Sequence, residues 1–191
     1  MRIAIIQGHP DPAGGHFCHA LADAYATGAR GRAYEVETVP VAKLTFPLLR
    51  TKDEFEQGVP PADVKAAQDV IARCDHMLIV YPLWLGEMPA IVKGFLEQVM
   101  RPGFAYAGEL ARLKPQLRGK SARVIVTMGM PAAIYRWYFR AHGLESLRRN
   151  ILSFVGFRPV RSTLIGSIET QSAKRRTAWL DTVAGLGAKG C

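Results

Sequence analysis

The chain has 191 residues, 49% hydrophobic and 21% charged, with a formal net charge of +9; this fits one globular domain and excludes a disordered chain or a collagen-like repeat. Cys18, Cys74 and Cys191 show no metal-binding or redox spacing, so no zinc site or disulfide framework is expected and a reducing, cytoplasmic compartment is the default. No apolar run approaches the ~18 residues that span a bilayer, and the N-terminal run stops at Gly8-His9-Pro10, too early for a signal peptide.

Residues 3–7 form a compact apolar run, read as a buried strand. Residues 16–29 place Phe17, Ala20, Leu21, Ala24 and Tyr25 at helical spacing. Residues 34–39 alternate with period two and read as a strand, and residues 43–61, with prolines, charges and Gly58, read as a loop with short turns. An amphipathic helix over 62–72, a buried strand over 76–81 and a helix over 89–100 follow, with Pro89 in the first turn of the last. The fourth strand is 122–128, a helix over 144–156 closes on a glycine, the fifth strand is 160–165 and the last helix is 171–186.

Five strands alternating with helices predict a parallel sheet covered on both faces, wound doubly by right-handed crossovers. Five strands fit the flavodoxin-like order 2-1-3-4-5, with one domain over residues 1–191 and no internal repeat. In such a sheet a ligand lies beyond the carboxyl ends of the strands, at the switch point between strands 1 and 3. The loops there are residues 8–15, 82–88 and 129–133.

The first loop joins a buried strand to a helix. Gly14 and Gly15 can turn backbone amides toward an anion, the helix start adds free N–H groups, and His9 and His16 can donate to phosphate. It matches neither the P-loop nor the G-x-G-x-x-G pattern. A metal site from His9, His16 and His19 is weakly indicated, with no carboxylate placed to help. The second loop, Pro82-Leu83-Trp84-Leu85-Gly86-Glu87-Met88, puts large apolar side chains where polar ones are usual, which suits a wall for a flat aromatic ligand or a buried helix entry. The third loop, Thr127-Met128-Gly129-Met130-Pro131, permits close backbone approach at Gly129, and Tyr135 and His142 follow near its mouth.

These residues carry a resemblance. Gly8-His9-Pro10 after strand 1, His16-Phe17-Cys18 opening the first helix, Tyr81-Pro82-Leu83 through Met88-Pro89-Ala90-Ile91-Val92-Lys93-Gly94, then Phe104-Ala105-Tyr106, Thr127-x-Gly129 and Tyr135 resemble the NAD(P)H quinone oxidoreductase, DT-diaphorase-like, branch of the flavodoxin-like flavoproteins. The resemblance implies a bound flavin, FAD or alternatively FMN, and a homodimer with two active sites at the subunit interface. It implies hydride transfer from NAD(P)H to flavin and on to a quinone or related acceptor. It places His9, His16, Phe17 and Cys18 at the flavin phosphate. Pro82, Leu83, Trp84, Leu85, Thr127, Met128 and Gly129 fall along the isoalloxazine, and Tyr106 with Met130 in the substrate pocket. Tyr135 and His142 fall where the family stabilises the reduced, anionic flavin.

Basic residues concentrate late, from Arg136 and Arg140 to Arg175 and Arg176. They read as a solvated face or as attraction for anionic cofactors, not as nucleic-acid recognition, since no recognition motif accompanies them. Two other functions remain open at this point: a regulatory flavoprotein subunit of a potassium-efflux system, and a flavodoxin-type electron carrier, which the positive charge disfavours. A homodimer is also expected from the aromatics of residues 95–106 and 136–142, and no metal site or membrane insertion is expected.

Overall fold

The computed structural model describes residues 1–108 and 113–191. In chain order it forms β1 (Arg2–Gln7), α1 (Phe17–Arg30), β2 (Glu35–Pro40), α2 (Lys52–Glu56), α3 (Ala62–Arg73), β3 (His76–Pro82) and α4 (Ala90–Val99). Then come a short antiparallel pair, β4 (Tyr106–Ala107) with β5 (Lys114–Pro115), followed by β6 (Ser121–Thr127), α5 (His142–Glu145), β7 (Val160–Ile165) and α6 (Ala173–Lys189).

The main sheet has the order β2-β1-β3-β6-β7, and each pairing within it is parallel. With β4 and β5 set aside, this is the 2-1-3-4-5 arrangement expected from the pattern. The continuous apolar runs are the three central strands. From Ile3 to Gln7, His76 to Pro82 and Ala122 to Thr127 every residue is buried, as a strand covered on both faces requires. β2 is an edge strand with only Val39 fully buried, which explains its alternation.

Two apolar clusters flank the sheet. One face packs Leu21, Tyr25 and Ala26 of α1 and Val183 of α6 against Ile3, Ile5, Leu78 and Ile125. The other packs Val64 and Ile71 of α3, Val92 and Phe95 of α4, and Leu144, Leu147 and Leu152 against Ile6, Ile79 and Val124. α1 and α6 touch through their backbones: a Cβ on Gly28 would stand 1.9 Å from the Ala184 carbonyl oxygen, and one on Gly187 2.1 Å from that of Tyr25.

The structure departs from the sequence reading in four places. The stretch read as loop contains α2, whose N-cap Thr51 accepts from the Glu54 amide; Thr51-Lys52-Asp53-Glu54 is a capping-box pattern. His16 and Pro89 are N-caps rather than first-turn residues. The helix expected from residue 144 begins at His142 and continues in wide π-type turns over Ser146–Ser153. Phe95, counted among the exposed aromatics, lies in the core. Among the described residues no helix is long and apolar enough to cross a membrane.

Candidate functional site

The three loops converge through hydrogen bonds between adjacent strand ends. The Gly8 amide donates to the Val80 carbonyl at 2.7 Å, the Leu83 amide to that of Thr127 at 2.8 Å, and the Met128 amide to that of Ile165 at 2.9 Å. Gln7, Pro82 and Thr127 end β1, β3 and β6, and Pro82 pairs with Thr127. The site expected at the switch point is therefore one rim along the carboxyl edge of the sheet.

Loop 1 gathers three imidazoles. The His9 ring stacks on that of His16 with centroids 3.8 Å apart, and His19 lies 5.2 Å from His9 and 5.8 Å from His16. A carboxylate does serve this cluster, contrary to the sequence reading. Asp11 Oδ2 lies 2.7 Å from His16 Nε2, and Asp11 Oδ1 accepts the Ala13 amide at 2.8 Å. The Asp11 side chain closes a local turn, a role that spacing does not reveal. Burial, reinforced by the neighbouring His16 and His19, pushes His9 down to about 4; burial also lowers His19. The hydrogen bond from His16 lowers Asp11. Among the described residues no group of three or more His, Cys, Asp or Glu side chains can hold a metal ion.

Gly14 and Gly15 have φ of +80° and +78° and face open space, a backbone that side chains rarely adopt. The first-turn amides of α1 have no side-chain cap, so loop and helix start together present donors to an anion. The Arg176 guanidinium lies 5.8 Å from the Phe17 ring centroid, which adds a fixed positive charge beside that helix start. Cys18 differs from expectation. Its side chain is 2% exposed and its thiol lies 3.1 Å from Thr127 Oγ1. Burial pushes that thiol up to about 11, so the side chain is held in the core and does not face the loop.

Loop 2 is a tight hairpin. Trp84 and Glu87 exchange both backbone hydrogen bonds at 2.9 Å, and Leu85 and Gly86 between them have φ of +49° and +82°, the pattern of a two-residue primed turn. It projects Trp84 and Leu85 into solvent, at 53% and 106% exposure, while Pro82 stays buried and Leu83 half-buried. In loop 3, Thr127 and Met128 are buried, so the Met128 side chain packs in the core rather than facing a ligand. Gly129 is exposed and Met130 half-buried. A carboxylate oxygen of Glu169 stands 3.3 Å from the position a Cβ on Gly129 would take, an acidic neighbour from the far side of β7 that no local motif signals.

Tyr135 and His142 come together at this rim in different ways. Tyr135 sits in a π-type turn over Ile134–Tyr138 and is 1% exposed. Its hydroxyl accepts the Leu144 amide at 3.2 Å and donates to the Gly86 carbonyl at 3.4 Å. It thus ties loop 2 to the first turn of α5. His142, two residues before Leu144, is exposed. Tyr106 is not brought to the rim. α4 starts beside loop 2 and its ten residues carry the chain about 15 Å toward the opposite edge of the sheet. There Tyr106 packs edge-on to Phe154 with ring centroids 5.4 Å apart, at the distal end of the helical segment that starts at His142. Two cavities of about 280 and 500 Å³ adjoin Tyr106 and Phe154.

The donor set suits a phosphorylated planar cofactor. Gln7 Nε2 and His19 Nδ1 are buried without partners, and a cavity of about 170 Å³ lined by Gln7, Asp11, Gly14, His19, Thr38 and Lys43 among others opens beside loop 1. The exposed indole of Trp84 supplies an apolar surface and the exposed Gly129 backbone lies on the same rim, a combination that suits a flavin ring.

Comparison with known proteins agrees with this geometry. An uncharacterized NAD(P)H oxidoreductase of Haemophilus influenzae is 27% identical over 188 residues, covering 96% of this chain and 93% of that protein. The NAD(P)H dehydrogenase [quinone] 1 of Rattus norvegicus is 29% identical over 119 residues, but the match spans only 43% of the rat protein. The solved NAD(P)H:quinone oxidoreductase of Methanothermobacter marburgensis superposes with a TM-score of 0.83 over 98% of both chains at 22% identity, which speaks to the fold. A family model described as Flavodoxin-like fold matches residues 1–184, and the chain belongs to that family.

Proposed function

We propose that this chain is an NAD(P)H-dependent oxidoreductase that reduces a quinone or related acceptor through a bound flavin, FAD with FMN as the alternative. The observation that carries the reading is the single rim made by the loops after β1, β3 and β6, with anion donors at one end and an apolar hairpin at the other. The names of the relatives support it, and none of those described above is named as a transporter subunit or an electron carrier.

A bound flavin supplies hydride transfer between a nicotinamide donor and an acceptor. The protein positions and polarises. The amides of Gly14, Gly15 and the first turn of α1, with His9 and His16, would hold its phosphate. Leu83, Trp84 and the Thr127–Gly129 segment would hold the ring. His142, exposed at the start of α5, would be the hydrogen-bond donor toward the edge of a bound ring, and Tyr135 fixes the α5 start and loop 2 that would frame it. The three cysteines are free thiols, which suits a reducing cytoplasm.

A homodimer completes this reading. Trp137 and Tyr138, 78% and 79% exposed, project beside loop 3 with Ile134 and Phe139, an unusual apolar surface for a monomer. Tyr106, remote from its own rim, would line a substrate pocket only on a partner subunit. Sedimentation velocity at micromolar concentration is expected to show a dimer; an active monomer would overturn this part. The function itself is tested by the visible spectrum of the purified protein followed by anaerobic NADH or NADPH. Yellow protein that bleaches, and regains colour with a quinone, is the expected result. Colourless protein that takes up no added FAD or FMN would overturn it.

A further inference from the structure

We propose that Asp11 acts as an internal stand-in for phosphate on His16, and that an anion binding to loop 1 displaces it and draws a proton from solvent onto the His9–His16–His19 cluster. This rests on reading loop 1 as the flavin-phosphate loop and deepens it by assigning a competitor and a proton to the binding step. Three imidazole rings lie within 5.8 Å of one another, and the carboxylate bonded to the cluster is that of Asp11, on His16 Nε2 at 2.7 Å. His19 also feels Asp23 and Lys43, which act in opposite directions, and Arg176 lies beside Phe17 at the helix start. His9 Nδ1 accepts the Asp11 amide at 3.2 Å, so the neutral ring carries its proton on Nε2. His19 Nδ1 is buried with no partner.

Close cations disfavour one another, and burial disfavours each of them; both effects hold His9 and His19 below the usual histidine range. A pyrophosphate reverses the balance. Its charge favours protonated rings, and it needs the same His16 Nε2–H that Asp11 engages. The backbone donors of Gly14 and Gly15 admit the anion whatever the ring charge. Asp11 therefore weakens anion binding and sets how many protons accompany it.

The test is ring-resolved NMR of labelled full-length protein, titrated from pH 5 to 8.5 alone, with inorganic pyrophosphate, with FAD and with riboflavin. Pyrophosphate and FAD should raise the titration midpoints of His9 and His19 by roughly one pH unit or more, and riboflavin, which has no phosphate, should leave them in place. Asp11→Asn keeps an acceptor for the Ala13 amide while removing the charge. It should tighten pyrophosphate binding about two- to fivefold at pH 7.5, the range an exposed ion pair commands, and enlarge the midpoint shift. Unmoved midpoints at saturating pyrophosphate, or weaker binding by Asp11→Asn, overturn the proposal. FAD bound with unmoved histidines removes this inference and leaves the flavin reading intact. Pyrophosphate shifting the histidines in a protein that binds no flavin does the reverse.

Discussion

Tyr135 offers the sharpest test of how the rim is built. Tyr135→Phe removes one oxygen from a site that is 1% exposed and leaves the Leu144 amide without its acceptor. Stranding a buried donor costs about 1–3 kcal/mol. With a urea slope near 2 kcal/mol per molar, as for domains of this class, the unfolding midpoint should fall by about 0.5–1.5 M. The Gly86 contact at 3.4 Å is too long to add much. His142→Gln should leave that midpoint within about 0.2 M, since a surface change away from packed features stays within ~0.5 kcal/mol.

Both changes should slow the reaction, for different reasons. His142 is exposed and donates directly in the proposed mechanism, so its loss should slow nicotinamide-driven bleaching by about 5- to 30-fold, equivalent to ~1–2 kcal/mol in the barrier. Tyr135→Phe should slow bleaching as well, because the hairpin it anchors frames the ring, and should lower flavin occupancy on dilution. Urea unfolding and stopped-flow absorbance on both variants decide the matter. An unshifted midpoint for Tyr135→Phe refutes the anchoring role, and a wild-type bleaching rate for His142→Gln refutes the direct one.

Stability should also depend on His76, which is 1% exposed, with Nδ1 bonded to Ser121 Oγ at 2.7 Å and burial, helped by Arg123 and Arg161, pushing it down to about 4. The unfolded chain binds this proton near pH 6.5 and the folded one only near 4, so this group's contribution is full above pH 6.5 and falls by about 3 kcal/mol as pH drops through that window; urea midpoints against pH should show the loss, and His76→Gln should shrink it without abolishing it, since His9 is also held down to about 4. Gly28→Ala would set a Cβ 1.9 Å from the Ala184 carbonyl oxygen, so thermal unfolding should reveal a cost of about 1–3 kcal/mol, and an unchanged melting temperature would mean α1 and α6 are not in backbone contact. Cys18 and Cys74 are both 2% exposed with thiols pushed up to about 11, so a thiol reagent at pH 8 should modify Cys191 alone in native protein and all three cysteines in urea.

The fold was legible because its signal is redundant. The stretches Ile3–Gln7, His76–Pro82 and Ala122–Thr127 are buried at every position, and no amphipathic reading competes with a continuous apolar run bounded by glycine and proline. Where the signal is a single local interaction it was missed or misjudged. Thr51 capping Glu54 makes α2 from a stretch dominated by loop composition. Phe95 was grouped with the aromatics of residues 95–106 by sequence position alone, yet α4 turns it to the sheet with Leu96 and Val99.

The site was legible as loops but not as side-chain directions, and helix polarity explains why. Loops 1, 2 and 3 meet because parallel strands end on the same edge, a consequence of topology alone. What a residue in those loops presents depends on the turn it occupies: Cys18 faces inward to Thr127, Met128 packs in the core, and Asp11 reaches His16 by closing its own turn. Tyr106 shows the same limit at longer range. Its motif follows α4 by seven residues, but α4 runs away from the rim, so nearness in sequence to loop 2 becomes distance in space. A second chain carrying its Tyr106 segment to the first chain's rim would make both readings of that residue correct. Tyr106→Ala in such a dimer should raise KM for the quinone while leaving flavin content and the thermal midpoint near wild type, because its ring is only half-buried within its own subunit. An unchanged KM alongside a lowered midpoint would place Tyr106 in the packing of its own hairpin against Phe154 and remove it from the pocket.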